Sequence, residues 1–168
     1  MALLERFYPD EYLDSAYEID YEKLYAQGYR GVIFDIDNTL VPHGAPADAR
    51  RIAFFDRLRA IGYESLLLSN NKEPRVKSFA DSVGSMYVFK AGKPGRKGYI
   101  RAMRMMETVP EKTLFVGDQL YTDVWGAKKL GIVTYLVKPI HPKEEIQIVL
   151  KRRLEWIVLF FYHRKKLK

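Results

Sequence analysis

Residues 34–40 read Phe34-Asp35-Ile36-Asp37-Asn38-Thr39-Leu40, the end of an apolar run from Gly31 that closes on two carboxylates two residues apart. A run that stays apolar until such a polar exit is the pattern of a parallel strand covered on both faces. Alternation along a strand puts Asp35 and Asp37 on the same side, so their side chains are expected to converge where the strand ends. Open parallel sheets bind ligands beyond those carboxyl ends, which makes this exit a candidate site.

Working outward, the pattern repeats. Strands are predicted over Gly31–Asp37, Tyr63–Ser69, Met86–Phe89, Thr113–Gly117 and Ile132–Val137, and helices over Ala47–Ile61, Glu73–Ser82, Gly98–Glu107 and Tyr121–Leu130. That alternation argues an α/β domain on a five-stranded parallel sheet. Gly62, Gly84 and Gly131 sit where three of the helices should stop. With 168 residues, the chain is expected to form one domain over 1–150, with 151–168 as a basic, aromatic C-terminal helix of the same domain.

The absence of cysteine excludes disulfides and thiolate metal or redox sites. Any metal must be held by oxygen ligands or by His43, His141 and His163, which are too dispersed to suggest a triad. The first twenty residues mix acids with apolar residues and lack a basic region followed by an apolar run. No secretory signal is read, and a cytoplasmic protein is expected. Residues 151–168 hold seven Lys and Arg against Glu155 alone, so most of the net charge of +7 sits in this tail. Residues 1–23 run the other way, with seven acids against Arg6 and Lys23. The asymmetry predicts an anionic partner met by one end of the molecule.

Chemically competent groups stand at one strand exit after another: Asp35 and Asp37, then Ser69, Lys93, Asp118 and Asp123. The set suits phosphoryl transfer to a carboxylate. An aspartate and a phosphate dianion about 4 Å apart at an effective dielectric near 20 repel by roughly 8 kcal/mol, which would defeat attack unless cations compensate. Asp35, Asp37 and Asp118 offer the hard oxygens that Mg²⁺ prefers, and Lys93 offers a second positive charge. Ser69 and the amides beside it can donate to the phosphoryl oxygens as charge spreads over them. Asp35 is then the expected nucleophile, forming an aspartyl phosphate, and Asp37 the general acid and base. The segment Gly92-Lys93-Pro94-Gly95-Arg96-Lys97-Gly98 lacks the spacing of a triphosphate-cradling loop.

Asp35-Ile36-Asp37-Asn38-Thr39, Ser69-Asn70-Asn71, Lys93-Pro94 and Gly117-Asp118-Gln119-Leu120-Tyr121-Thr122-Asp123, in this order, resemble the four motifs of the haloacid dehalogenase (HAD) phosphatases. The likeness is to the YqeG-type group of subfamily IIIA; it covers about residues 1–140 and extends to Phe7-Tyr8-Pro9-Asp10-Glu11. It implies a HAD-like Rossmannoid three-layer sandwich. It also implies Asp35 as nucleophile, Asp37 as general acid/base, Ser69, Asn70 and Lys93 around the phosphoryl group, and Mg²⁺ as cofactor. Asp118 would be a metal ligand, with Thr39 and Asp123 supporting the metal shell.

About thirty residues separate the first acid pair from Ser69, and twenty-three separate Ser69 from Lys93. In this family cap domains are inserted at those two places, so the short gaps imply a capless enzyme with an open site, suited to a large or surface-embedded substrate. Members of the resembled group include phosphatases of phosphatidylglycerophosphate, and that lipid is the expected substrate. The run Trp156–Tyr162, flanked by Lys151, Arg152, Arg153 and Arg164, Lys165, Lys166, is too short to span a bilayer. It suits peripheral contact with an anionic membrane at its inner face. The alternative packs Leu150, Leu154, Ile157, Val158 and Phe161 on the sheet, with the opposite aromatics over Leu4, Tyr8 and Tyr12; self-association through the same run fits equally. Two other readings compete: a phosphatase of soluble sugar or nucleotide phosphates or phosphoproteins, and a non-catalytic nucleic-acid or ribosome-associated module. The last is disfavoured, because a pure binder has no need of Asp35, Asp37, Ser69, Lys93 and Asp118 in alignment.

Overall fold

The computed structural model describes residues 2–141 and 146–166, with the side chains of 2–3 and 146–152 left aside. Its elements in chain order are α1 (Ala2–Glu5), β1 (Glu11–Leu13), α2 (Tyr21–Ala26), β2 (Gly31–Phe34), α3 (Ala49–Ile61), β3 (Glu64–Leu68) and α4 (Glu73–Val83). There follow β4 (Met86–Val88), α5 (Arg96–Met105), β5 (Thr113–Gly117), a π-helical turn (Leu120–Val124), α6 (Trp125–Lys128), β6 (Val133–Val137) and α7 (Ile146–Lys166). All strand pairings are parallel, in the order β1-β6-β5-β2-β3-β4.

The sheet therefore has six strands where five were expected. The additional one, β1, is a three-residue edge strand in the acid-rich opening segment, and it carries no apolar run to announce it. Asp10 secures its start: its Oδ2 accepts from the Thr134 amide and hydroxyl, each at 2.8 Å. Tertiary pairing to β6 makes this strand; local propensity does not.

Alternate strand residues feed two cores. Val32, Phe34, Leu67, Leu114 and Val116 pack toward α2, α3 and α4, where Tyr21, Phe54 and Phe55 meet Phe34 edge-on or tilted. Ile33, Leu66, Leu68 and Phe115 face the other way, onto Tyr99, Ala102 and Met103 of α5 and Ala127 of α6. Leu136, on that second face, joins Tyr8, Leu120, Val124, Val158 and Tyr162, so α7 lies in the same helical layer as α5 and α6. Helix limits follow their caps. Asp48 accepts from the Arg51 amide to open α3, and Gly62 and Gly84 close α3 and α4 at φ of 113° and 65°, a region that disfavours other residues.

The C-terminal packing differs from the alternative drawn from sequence. Glu155, Val158 and Tyr162 of α7 are buried, whereas Leu154, Ile157 and Phe161 are exposed. The N-terminal segment does pack here, Leu4, Tyr8 and Tyr12 joining this cluster. The side chains of Leu150, Lys151 and Arg152, and Lys168, lie outside the described residues. Among the described residues no helix is long and apolar enough to cross a membrane.

Candidate active site

The strand order reverses at β2, with β3 and β4 to one side and β5, β6 and β1 to the other. This is the switch point at which parallel sheets leave a crevice at their carboxyl edge. A cavity of about 260 Å³ opens there, lined by Asp35, Asp37, Ser69, Asn70 and Lys93 together with Asn38, His43, Asn71, Gln119 and Thr122.

Strand β2 stops at Phe34, and Asp35 continues the ladder for one more bond, its amide donating to the Val116 carbonyl at 3.0 Å. The chain then turns. The Leu40 amide reaches the Ile36 carbonyl at 2.9 Å, and Asn38 takes a positive φ of 64°. This turn separates the two acids that a longer strand would have held side by side. The Asp37 carboxylate is held at the cavity wall by the Gly44 amide at 2.8 Å, Asn71 Nδ2 at 2.7 Å and Arg75 Nη2 at 2.9 Å.

The acids whose oxygens come within 4.8 Å of one another are Asp35, Asp118 and Asp123, all buried. The expected metal set was Asp35, Asp37 and Asp118. Asp37 is not in this cluster: β2 ends at Phe34, three residues before the exit that the alternation argument assumes, and the chain turns ahead of Asp37. Thr39 Oγ1 lies 3.1 Å from Asp118 Oδ1 and donates to it.

Lys93 is buried, and its ammonium donates to Asp35 Oδ1 at 2.6 Å and Asp123 Oδ1 at 2.7 Å. Asn70 holds the lysine's backbone at both ends, accepting from the Lys93 amide at 2.8 Å and donating to its carbonyl at 3.1 Å. Ser69 Oγ accepts from the Asn71 amide at 3.1 Å. Asp123 is presented by the π-helical turn, where its Oδ2 accepts from the Asp118 and Gln119 amides at 3.2 and 3.1 Å. Tyr99 supports that turn from α5, its hydroxyl donating to the Thr122 carbonyl at 2.8 Å.

Burial pushes the Asp35 carboxyl well above the usual carboxylate range; Lys93 opposes this, while Asp123 and Asp118 add to it. Burial works against the Lys93 ammonium as well, but Asp123 and Asp35 outweigh it and hold the group above its ordinary range. Among the described residues, that one ammonium bridges two of the three buried carboxylates of the cluster, Asp35 and Asp123. Such an all-oxygen donor set suits a hard divalent cation.

Sequence reasoning did not assign Asn71, Arg75, Gln119 or His43. Asn71 lies in the Ser69-Asn70-Asn71 motif with no role assigned by it, and His43 is exposed at the cavity rim. Nothing local marks Arg75, since its tie to Asp37 spans 38 positions.

A family model for HAD-hydrolase-like proteins matches residues 90–145. Over 165 residues the chain is 37% identical to a Bacillus subtilis (strain 168) protein named "Probable phosphatase YqeG", covering 97% of this chain and 96% of that one. The chain belongs to the HAD phosphatases, in the YqeG-type group. This HAD phosphatase is also 27% identical over 161 residues to phosphatidylglycerophosphate phosphatase 1, chloroplastic/mitochondrial, of Arabidopsis thaliana. That match covers 89% of this chain and 46% of the Arabidopsis protein, so the chain spans less than half of that relative's length. A solved structure of a hypothetical protein from Xanthomonas campestris has a TM-score of 0.55 at 15% identity, covering 77% of this chain and 75% of that one. That likeness bears on the fold alone. HAD phosphatases generally use a divalent metal, and the Asp35, Asp118 and Asp123 cluster is a donor set of that kind.

Proposed function

We propose that the protein is a Mg²⁺-dependent phosphomonoester hydrolase working through an aspartyl phosphate on Asp35, with phosphatidylglycerophosphate as its substrate. The observation that carries the reading is one buried ammonium, Lys93, bridging Asp35 and Asp123 beside a cavity that Asp37, Ser69 and Asn70 also line.

In this reading Asp35 attacks phosphorus, the bond from its carboxylate oxygen forms, and the bond to the glycerol oxygen breaks. Asp37 supplies a proton to the departing alkoxide and later takes one from the water that hydrolyses the acyl phosphate. Gly44, Asn71 and Arg75 orient it for both transfers. Lys93 and Ser69 hold the phosphoryl oxygens, while Asn70 shapes the loop that carries Lys93. Asp35, Asp118 and Asp123 are the residues that would hold Mg²⁺, whose chemistry is to offset the repulsion between carboxylate and phosphate and to polarise a phosphoryl oxygen. Thr39 steadies Asp118.

The segments between the motifs are spent on α3 and β3, then on α4 and β4, which supports a capless site open to a large substrate. We read 1–150 as the catalytic domain and 151–168 as a helix of that same domain, supported by the Glu155 carboxylate accepting from the Leu120 amide at 2.8 Å. The lipid substrate rests on the similarity to the Arabidopsis enzyme and on the exposed aromatic and basic residues of α7. It implies work at the inner, cytoplasmic face of a membrane.

Phosphate release from phosphatidylglycerophosphate in mixed detergent micelles with Mg²⁺ tests this. The wild type is expected to release phosphate and Asp35→Asn to release none. Activity on soluble phosphomonoesters with none on the lipid rejects the substrate, and undiminished activity of Asp35→Asn rejects the mechanism.

A further inference from the structure

Helix α7 is apolar on its outer side. Glu155, Val158 and Tyr162 recur at helical spacing and are buried, so the opposite stripe, from Arg153 through Trp156, Ile157 and Phe160 to Arg164, faces away from the core. Trp156 is 75% exposed, Ile157 52% and Phe160 50%. An ordinary surface helix shows the reverse arrangement, and a contiguous exposed apolar patch marks an interaction surface.

Charge narrows the partner. On the opposite face of the sheet, Arg57, Arg59 and Lys77 of α3 and α4 each pair with an acid: Glu22, Asp56 and Asp81. In the layer of α7, Lys165 and Lys166 pair with Glu5 and Glu11, and Lys128 of α6 with Asp10, but further cations are left over. Lys97, Arg101 and Arg104 of α5 lie at i, i+4 and i+7, and neither they nor Arg153 and Arg164 form an ion pair among the described residues. Arg164 lies over the Phe160 ring at 5.4 Å, so a guanidinium and an aromatic ring share the exposed edge. Basic residues around aromatic ones suit the headgroup level of an anionic bilayer, where rings enter the interface and cations meet lipid phosphates.

Orientation favours the same partner. Glu155 meets Leu120 just beyond the end of β5, and Lys166 meets Glu11 at the start of β1 at 2.6 Å. Helix α7 therefore runs antiparallel to the strands and begins at the carboxyl edge, where the candidate active site opens.

We propose that the outer face of α7, together with the cations of α5 in the same layer that form no ion pair among the described residues, is a docking surface for an anionic lipid bilayer. The inference deepens the lipid-substrate reading above and rests on it for the surface at which the enzyme works. The test is co-sedimentation of the full chain with phosphatidylcholine vesicles and with phosphatidylcholine/phosphatidylglycerol vesicles. Wild-type protein is expected to sediment with the second and not the first, and added salt should release it. Trp156→Ser/Phe160→Ser should lower this binding at least roughly tenfold, and Arg153→Gln or Arg164→Gln by about fivefold each. These exposed positions leave turnover of a soluble phosphomonoester and the melting temperature unchanged. Wild-type protein that stays in the supernatant, or a double variant that binds as well as the wild type, overturns the proposal. So does a wild-type dimer that the double variant converts to monomer with vesicle binding intact, since the face would then serve self-association. Hydrolysis in detergent micelles is read separately, so loss of vesicle docking and loss of the lipid substrate are distinguishable.

Discussion

Gly117 and Asp123 occupy space that only a glycine can share: a Cβ added at Gly117 would lie 2.5 Å from Asp123 Oδ2. The last residue of β5 is thus fitted to the carboxylate that the π-helical turn returns to it. Gly117→Ala should push Asp123 off its amide partners, costing roughly 1–3 kcal/mol and lowering kcat at least tenfold. Urea unfolding and steady-state kinetics on a soluble phosphomonoester measure the two effects.

Lys93 is the only cation bonded to the acid cluster among the described residues. Removing one partner from a buried charge set leaves the rest uncompensated, so Lys93→Met should destabilise the metal-free protein by roughly 3–5 kcal/mol. Phosphatase activity should vanish. Chemical denaturation in EDTA, compared with excess Mg²⁺, should show the loss partly reversed by the metal.

Binding of a divalent cation to Asp35, Asp118 and Asp123 should raise the melting temperature of the wild type. At a metal concentration of 100 times Kd, linkage gives about 2.7 kcal/mol of added stability. Asp118→Asn should lose most of that increment, as read by thermal melts with and without Mg²⁺.

Arg75 and Asn71 hold Asp37 from α4 and its approach. Releasing that carboxylate should impair proton transfer while leaving substrate binding in place, so Arg75→Gln is expected to lower kcat by roughly tenfold to a hundredfold. KM should change little. A matching fall in Asn71→Ala, with no additive loss in the double variant, would show that both act through Asp37.

Arg57 grips Glu22 with two bonds, of 2.9 and 2.6 Å, joining α2 to α3. The side-chain bonds from Arg57 hold the Glu22 carboxyl below its ordinary range. A depressed carboxyl contributes stability above its unfolded value, and that contribution fades as pH falls through the folded one. Solvent screens this exposed pair, so Glu22→Gln should cost at most about 1 kcal/mol near neutrality and nothing in strong acid. Unfolding curves across pH check this.

Much of the site could be read from sequence because parallel-sheet chemistry concentrates at strand exits. Asp35, Ser69, Lys93 and Asp118 each follow an apolar run, and the structure gathers them at one edge. What could not be read depends on where a strand stops and what reaches it from afar. Asp37 left the acid cluster because β2 ends at Phe34 and the chain turns at Asn38. Asp123 entered it through a π-helical turn where a regular helix was expected. Edge strand β1 is built by Thr134 and its neighbours, far away in the chain. The packing alternative for α7 places Val158 inward, as found, but Leu154, Ile157 and Phe161 are exposed, because the inward stripe is narrow and includes an acid, Glu155, which hydrophobic periodicity alone turns outward.

That acid bears on how the C-terminal helix should be dissected. Cutting the chain ahead of Glu155 would remove an anchor and also orphan the Leu120 amide, at the foot of the coil that delivers Asp123. An inert truncate would then confound lost tethering with a slackened catalytic scaffold. Single replacements on the solvent side keep the buttress in place and separate the two causes.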